Sequence, residues 1–131
     1  PILYVTGVKW LVERPRPITS VGSDLLPGDP SFPSGHTAAA VIVSVMMILT
    51  VRNFARKCFP DGEDDGRANG RRVFLRRAVI GAVALVAAVA CSRLLLGLHY
   101  PTDVIISATI CPLISYAVWC VWNAYESAAE R

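Results

Sequence analysis

This 131-residue chain holds two histidines, each in a short polar segment whose other residues suit phosphate chemistry. The first segment, Phe32 to Thr37, reads FPSGHT and lies where an apolar stretch begins. Ser34 is a good helix N-cap, Gly35 lets a ligand approach the backbone, and the free N–H groups of a first helical turn form an anion site aided by the helix dipole. His36 would stand at the mouth of that helix. The second segment, Ser92 to Asp103, reads SRLLLGLHYPTD. Arg93 is a guanidinium inside an apolar stretch, costly unless paired or facing a polar cavity, and so a functional hypothesis by default. Pro101 fits a first helical position, which places Asp103 in the first turn, pointing back toward His99. A carboxylate on an imidazole fixes its tautomer and makes it more basic. A third segment, KWLVERPRP from Lys9 to Pro17, adds Lys9, Arg14 and Arg16 at the end of an apolar run. Taken singly, these clusters have plainer readings: a cap, a dipole-complementing Asp beside an interfacial His, and snorkelling anchors.

The elements that position these segments follow from composition. Hydrophobic residues make up 53% of the chain and charged residues 18%, with a net charge of +3 and a mean hydropathy of +0.46. Such a chain is neither disordered nor a nucleic-acid arm; it belongs to a membrane class. Three apolar runs predict spans at 34–54, 78–98 and 104–122, each close to the roughly 20 residues that cross a bilayer, with Pro112 as a tolerated kink. They lack the polar face of an amphipathic surface helix, which argues against a small soluble bundle. The expected fold is all-α, a multi-pass transmembrane helical bundle forming one membrane-embedded domain over 1–131. Pro1 to Val12 is already apolar, so the chain reads as N-terminally truncated, starting inside an element. Cys58, Cys91, Cys111 and Cys120 form no CxxC pair and read as membrane-buried thiols.

The polar segment from Arg52 to Arg77 reads as a flexible loop and carries eight of the 13 basic residues. Lys and Arg accumulate in short cytoplasmic loops, so the loop at 55–77 is expected inside, with Trp119 and Trp122 in the inner interfacial belt. Each span then crosses once, and all three polar clusters arrive at the outer face. Together they make a site for a phosphate-like dianion, with Lys and Arg for charge and helix-start amides for donors. Two imidazoles, only one with a carboxylate, suggest that the paired one attacks and the other protonates the leaving group. No carboxylate or His/Cys cluster suited to a metal is present, so the chemistry is expected to need neither metal nor cofactor.

Lys9, six residues, Arg16-Pro17; Pro33-Ser34-Gly35-His36; Ser92-Arg93, five residues, His99, three residues, Asp103: this series resembles the three-part signature of the type 2 phosphatidic acid phosphatase (PAP2) superfamily. That superfamily also includes vanadium-dependent haloperoxidases and bacterial acid phosphatases. The resemblance implies that His99 is a nucleophile forming a phosphohistidine, oriented by Asp103, and that His36 is general acid and then base. It implies that Lys9, Arg16, Ser34, Gly35 and Arg93 bind the phosphoryl oxygens. Arg14 lies outside the pattern and is left as a headgroup or interfacial contact. Ser107, where many members have Gly, is expected to touch packing more than chemistry. The implied function is hydrolysis of a lipid phosphate or diphosphate, such as phosphatidic acid, phosphatidylglycerophosphate or a polyprenyl diphosphate, at the extracytoplasmic face. The expected partners are that lipid and the bilayer, with no nucleic acid. Two alternatives stand beside it, a vanadate-holding haloperoxidase and a non-catalytic membrane subunit with a basic partner-binding loop. Headgroup choice is assigned to the Ile18 to Ser31 loop and to openings between helices; the sequence fixes neither the lipid nor the oligomeric state.

Overall fold

In hydrocarbon every backbone N–H and C=O must be paired within its own segment, so long apolar runs become helices. A computed structural model, which describes residues 2–17, 28–58 and 65–129, contains α1 (Ile2–Val12), α2 (Gly35–Cys58), α3 (Asp65–Leu95) and α4 (Pro101–Ala129). Among the described residues there is no strand. The segments Gly35–Cys58, Asn69–Leu95 and Pro101–Ala129 are long and apolar enough to cross a membrane, which gives the expected all-α transmembrane bundle.

Helix α2 is the hub, packing against α1, α3 and α4. Its inward positions are mostly small: Ala38, Ala40, Ser44 and Ala55 are buried. Small residues let helix backbones approach closely where no hydrophobic effect drives association. The Ser44 hydroxyl donates across the α2–α3 contact to the Ala82 carbonyl at 3.4 Å. Val5, Ala38, Val41 and Cys111 form a buried apolar cluster joining α1, α2 and α4. Bulky side chains point the other way, with Val83, Leu113 and Val121 exposed on the flanks as lipid-facing residues are. The four cysteines carry no disulfide; Cys111 lies inside the bundle, and Cys91 and Cys120 lie on the outer surfaces of spans.

The flexible loop expected from Arg52 to Arg77 is a correction. Helix α2 runs on to Cys58 and α3 begins at Asp65, which leaves 59–64 outside the described residues. The physical reason is that hydropathy marks where a helix leaves hydrocarbon, not where it ends. Arg and Lys are good helix formers, and their charges extend the helices into the polar zone. At the opposite end, α3 stops at Leu95, short of 98. Gly97 adopts φ 63, with Leu98 N–H donating to Arg93 O at 3.1 Å and Gly97 N–H to Leu94 O at 3.0 Å. This Schellman turn swings Leu98 and His99 back over the bundle end.

Candidate active site

The C-terminal end of α1, the start of α2, the end of α3 and the start of α4 meet at one end of the bundle. Beyond α1 the chain passes through Glu13, at φ 46, into the irregular stretch Arg14–Pro17, where two prolines limit its freedom. Ser31 ties this stretch to the approach to α2: its N–H donates to Arg14 O at 2.8 Å and its hydroxyl to Pro15 O at 3.1 Å.

Ser34 caps α2, its Oγ accepting from Thr37 N–H at 3.4 Å and lying 3.0 Å from Thr37 Oγ1. Its N–H donates to Asp103 O at 3.2 Å, and its carbonyl accepts from the Ser107 hydroxyl at 3.0 Å. The two helix starts are thus hydrogen-bonded to one another. The Ser107 hydroxyl also reaches Asp103 O at 2.9 Å. In α2 the N–H groups of Gly35 and His36 belong to the first turn, which has no intrahelical acceptors for them.

His99 is 4% exposed, and its Nδ1 lies 2.7 Å from Ser31 O. A carbonyl can only accept, so Nδ1 carries the proton in neutral His99 and Nε2 keeps its lone pair. Asp103 Oδ2 stands 3.6 Å from Nδ1, near enough to offset charge on the ring while the hydrogen bond itself goes to Ser31. Asp103 is fully buried; it accepts from Tyr100 N–H at 2.9 Å and from Arg14 Nη1 at 2.8 Å. Arg14 also donates to Thr102 Oγ1 at 2.7 Å and lies 4.0 Å over the Tyr100 ring. The expectation for Arg14 is a headgroup or interfacial contact; the structure instead makes it the partner of the buried carboxylate. Burial pushes the His99 pKa below its ordinary value. Ser31 O and Asp103 oppose this, the charges of Arg16 and Lys9 reinforce it, and the net direction is down.

A cavity of about 400 Å³ opens beside His99. Lys9, Arg16, Gly35, His36, Arg93 and His99 line it, so six of the eight candidates meet there. The other two, Ser34 and Asp103, are fully buried in the hydrogen-bonded junction between the helix starts. Arg16 donates to Leu98 O at 2.9 Å, and its Nη1 is 3.5 Å from His99 Nε2. Arg93 Nε donates to Ser92 Oγ at 3.1 Å. His36 is exposed, and its side chain makes no hydrogen bond among the described residues.

Asp29 was invisible to motif reasoning, yet it lines the same cavity. Its carboxylate accepts from Lys9 Nζ and, at 2.7 Å, from Arg16 Nη2. Burial alone would raise its pKa, but these two partners outweigh it and hold the carboxyl at about 2. Residues 18–27 of the loop assigned to headgroup choice lie outside the described residues. Among the described residues, no three His, Cys, Asp or Glu side chains converge as a metal site would require.

Residues 2–126 match the family model described as the PAP2 superfamily. The chain is similar to proteins named decaprenylphosphoryl-5-phosphoribose phosphatase from two strains of Mycobacterium tuberculosis, at 29% identity over 127 residues. The match covers 95% of this chain and 56% of each relative, so the chain spans about half the length of these curated relatives. No solved structure matches it.

Proposed function

The chain belongs to the PAP2 superfamily, and from that premise we propose that it carries the catalytic centre of a metal-independent membrane phosphatase acting on a lipid phosphate or diphosphate. The observation that supports this most is the convergence of a lone-pair-bearing His99 Nε2 with Lys9, Arg16 and Arg93 on one cavity. Three cations and the first-turn amides of α2 can neutralise the phosphoryl oxygens, whose charge dominates phosphoryl transfer.

Nε2 attacks phosphorus in line, forming the N–P bond as the bond from phosphorus to the leaving oxygen breaks. His36 gives that oxygen its proton. The positive charge that develops on the His99 ring is held by Nδ1–H on Ser31 O and by the Asp103 carboxylate. Neutral His36 then takes a proton from water, which attacks phosphorus; the N–P bond breaks, its electron pair returns to Nε2, and phosphate leaves. Arg14 holds the Asp103 carboxylate in place without touching substrate.

The basic residues of the α2 end and the α3 start, Arg52, Arg56, Arg71 and Arg72 among them, lie at the end of the bundle away from the cavity. By the preference of Lys and Arg for the cytoplasmic side, the cavity faces outward. The substrate panel comprises phosphatidic acid, phosphatidylglycerophosphate and a polyprenyl diphosphate, with a polyprenyl-linked phosphoribose added by the relatives' name. The test is phosphate release from these lipids in detergent micelles with EDTA, by the full-length protein and its His99→Ala variant. Release that survives chelation and disappears in the variant is expected. Release that needs a divalent metal, or persists without His99, would contradict the reading.

A further inference from the structure

Asp29 sits on two of the cations that a phosphate would need. Lys9 Nζ and Arg16 Nη2 both donate to its carboxylate, and Arg16 Nε donates to its backbone carbonyl at 3.1 Å. The cations are enclosed, with side chains 12% and 8% exposed, whereas the Asp29 side chain is 48% exposed. The less buried partner can swing away at lower cost, because solvent receives it while the cations stay in place. Lys9, Arg16 and Asp29 all line the cavity that contains His99.

The charge count gives this arrangement a consequence. Lys9, Arg16 and Arg93 bring three positive charges, and Asp29 cancels one. A ligand that takes Lys9 and Arg16 must replace the carboxylate on their N–H groups. A monoanionic phosphodiester replaces one negative charge with one and gains little Coulomb energy, but a phosphomonoester dianion or a diphosphate brings additional charge to the same donors. In a bilayer, phosphodiester headgroups are the abundant competitor.

We propose that Asp29 is an internal competitor for the phosphate site, a carboxylate that every anion must displace from Lys9 and Arg16, so that strongly held phosphomonoester dianions and diphosphates occupy these cations while weakly held monoanionic phosphodiesters fall below the threshold. This rests on the phosphatase reading above and extends it to the charge class of the substrate. Asp29 acts through competition, so its removal strengthens anion binding. A purely structural role, holding Lys9 and Arg16 in position, has the opposite sign.

The test measures competitive inhibition of monoester hydrolysis by inorganic phosphate and by dimethyl phosphate, with full-length wild type, Asp29→Asn and Asp29→Ser. In both variants the inhibition constants for dimethyl phosphate and for inorganic phosphate are expected to fall by about tenfold or more, the scale of one charge-assisted hydrogen bond. Unchanged or weaker inhibition by these anions in a folded variant overturns the proposal. Wild type that hydrolyses the monoester and is inhibited by phosphate upholds the parent reading whatever the variants do. Wild type that does neither overturns both.

Discussion

His99 and His36 face one cavity from surroundings that differ in nearly every physical respect. His99 is buried, its Nδ1 fixed by Ser31 O, its ring flanked by Asp103 and Arg16. His36 stands exposed on the first turn of α2, without a side-chain hydrogen bond among the described residues. The contrast fits two tasks. A nucleophile has to present one lone pair in one direction, which calls for a fixed tautomer and a braced ring. A group that meets a leaving alcohol and then water needs access and freedom to turn. On the proposed assignment, the difference in burial separates attack from proton transfer.

The largest expected effect is on the braced histidine. His99→Ala should lower kcat by about 10⁴-fold or more, to background, because the proposed mechanism passes the phosphoryl through Nε2. His36→Ala should cost about 10² to 10⁴-fold on an alkyl phosphate, the usual scale of general acid–base catalysis. With an aryl phosphate, whose leaving group needs no proton, the first step should survive and phosphoenzyme should accumulate, visible as a burst of released phenol. Equal losses on both substrates without a burst would break the division between the two histidines. Asp103→Asn should cost about 10² to 10⁴-fold in kcat with little change in KM, since the ring charge loses its counter-ion. An effect confined to KM would place Asp103 in substrate binding instead.

Smaller effects sharpen the same comparison. Burial holds the His99 pKa below 6.5, so its lone pair stays free as the pH falls through that value, and the acidic limb it sets in kcat/KM should lie below 6.5. The unfolded chain takes up that proton more readily, so stability is full above 6.5 and declines as the pH drops below it. A limb from His99 above 6.5 in the pH profile would contradict its buried setting. The mildest change is Ser107→Ala, which removes the hydroxyl joining Ser34 O and Asp103 O. It should cost about 1 kcal/mol in a denaturation midpoint and leave both histidines in place.

The two histidine regions were not equally legible in the sequence. The start of α2 was, because a cap and its first turn are local: Ser34, Gly35 and His36 are neighbours whose roles follow from helix geometry. The start of α4 was legible for the same reason, from Pro101 and Asp103. What braces His99 was not. Ser31 lies 68 residues from it, and Arg14 lies 89 residues from Asp103. These contacts exist only after the helix ends have closed on one another, and no spacing encodes them. Asp29 had still less signal, since it belongs to no motif and gains its meaning from Lys9 and Arg16. The three spans are legible from apolar composition, but their charged extensions past Arg52 and before Arg77 carry no hydropathy signal that separates helix from loop.

One measurement bears on the central assignment most directly. The full-length protein is mixed with ³²P-labelled aryl phosphate, quenched in alkali within a single turnover, and the labelled peptide is mapped. The expected result is acid-labile, alkali-stable phosphate on the peptide that contains His99, enhanced in His36→Ala and absent in His99→Ala. Label on His36, or turnover with no phosphoenzyme in either wild type or His36→Ala, would contradict the account.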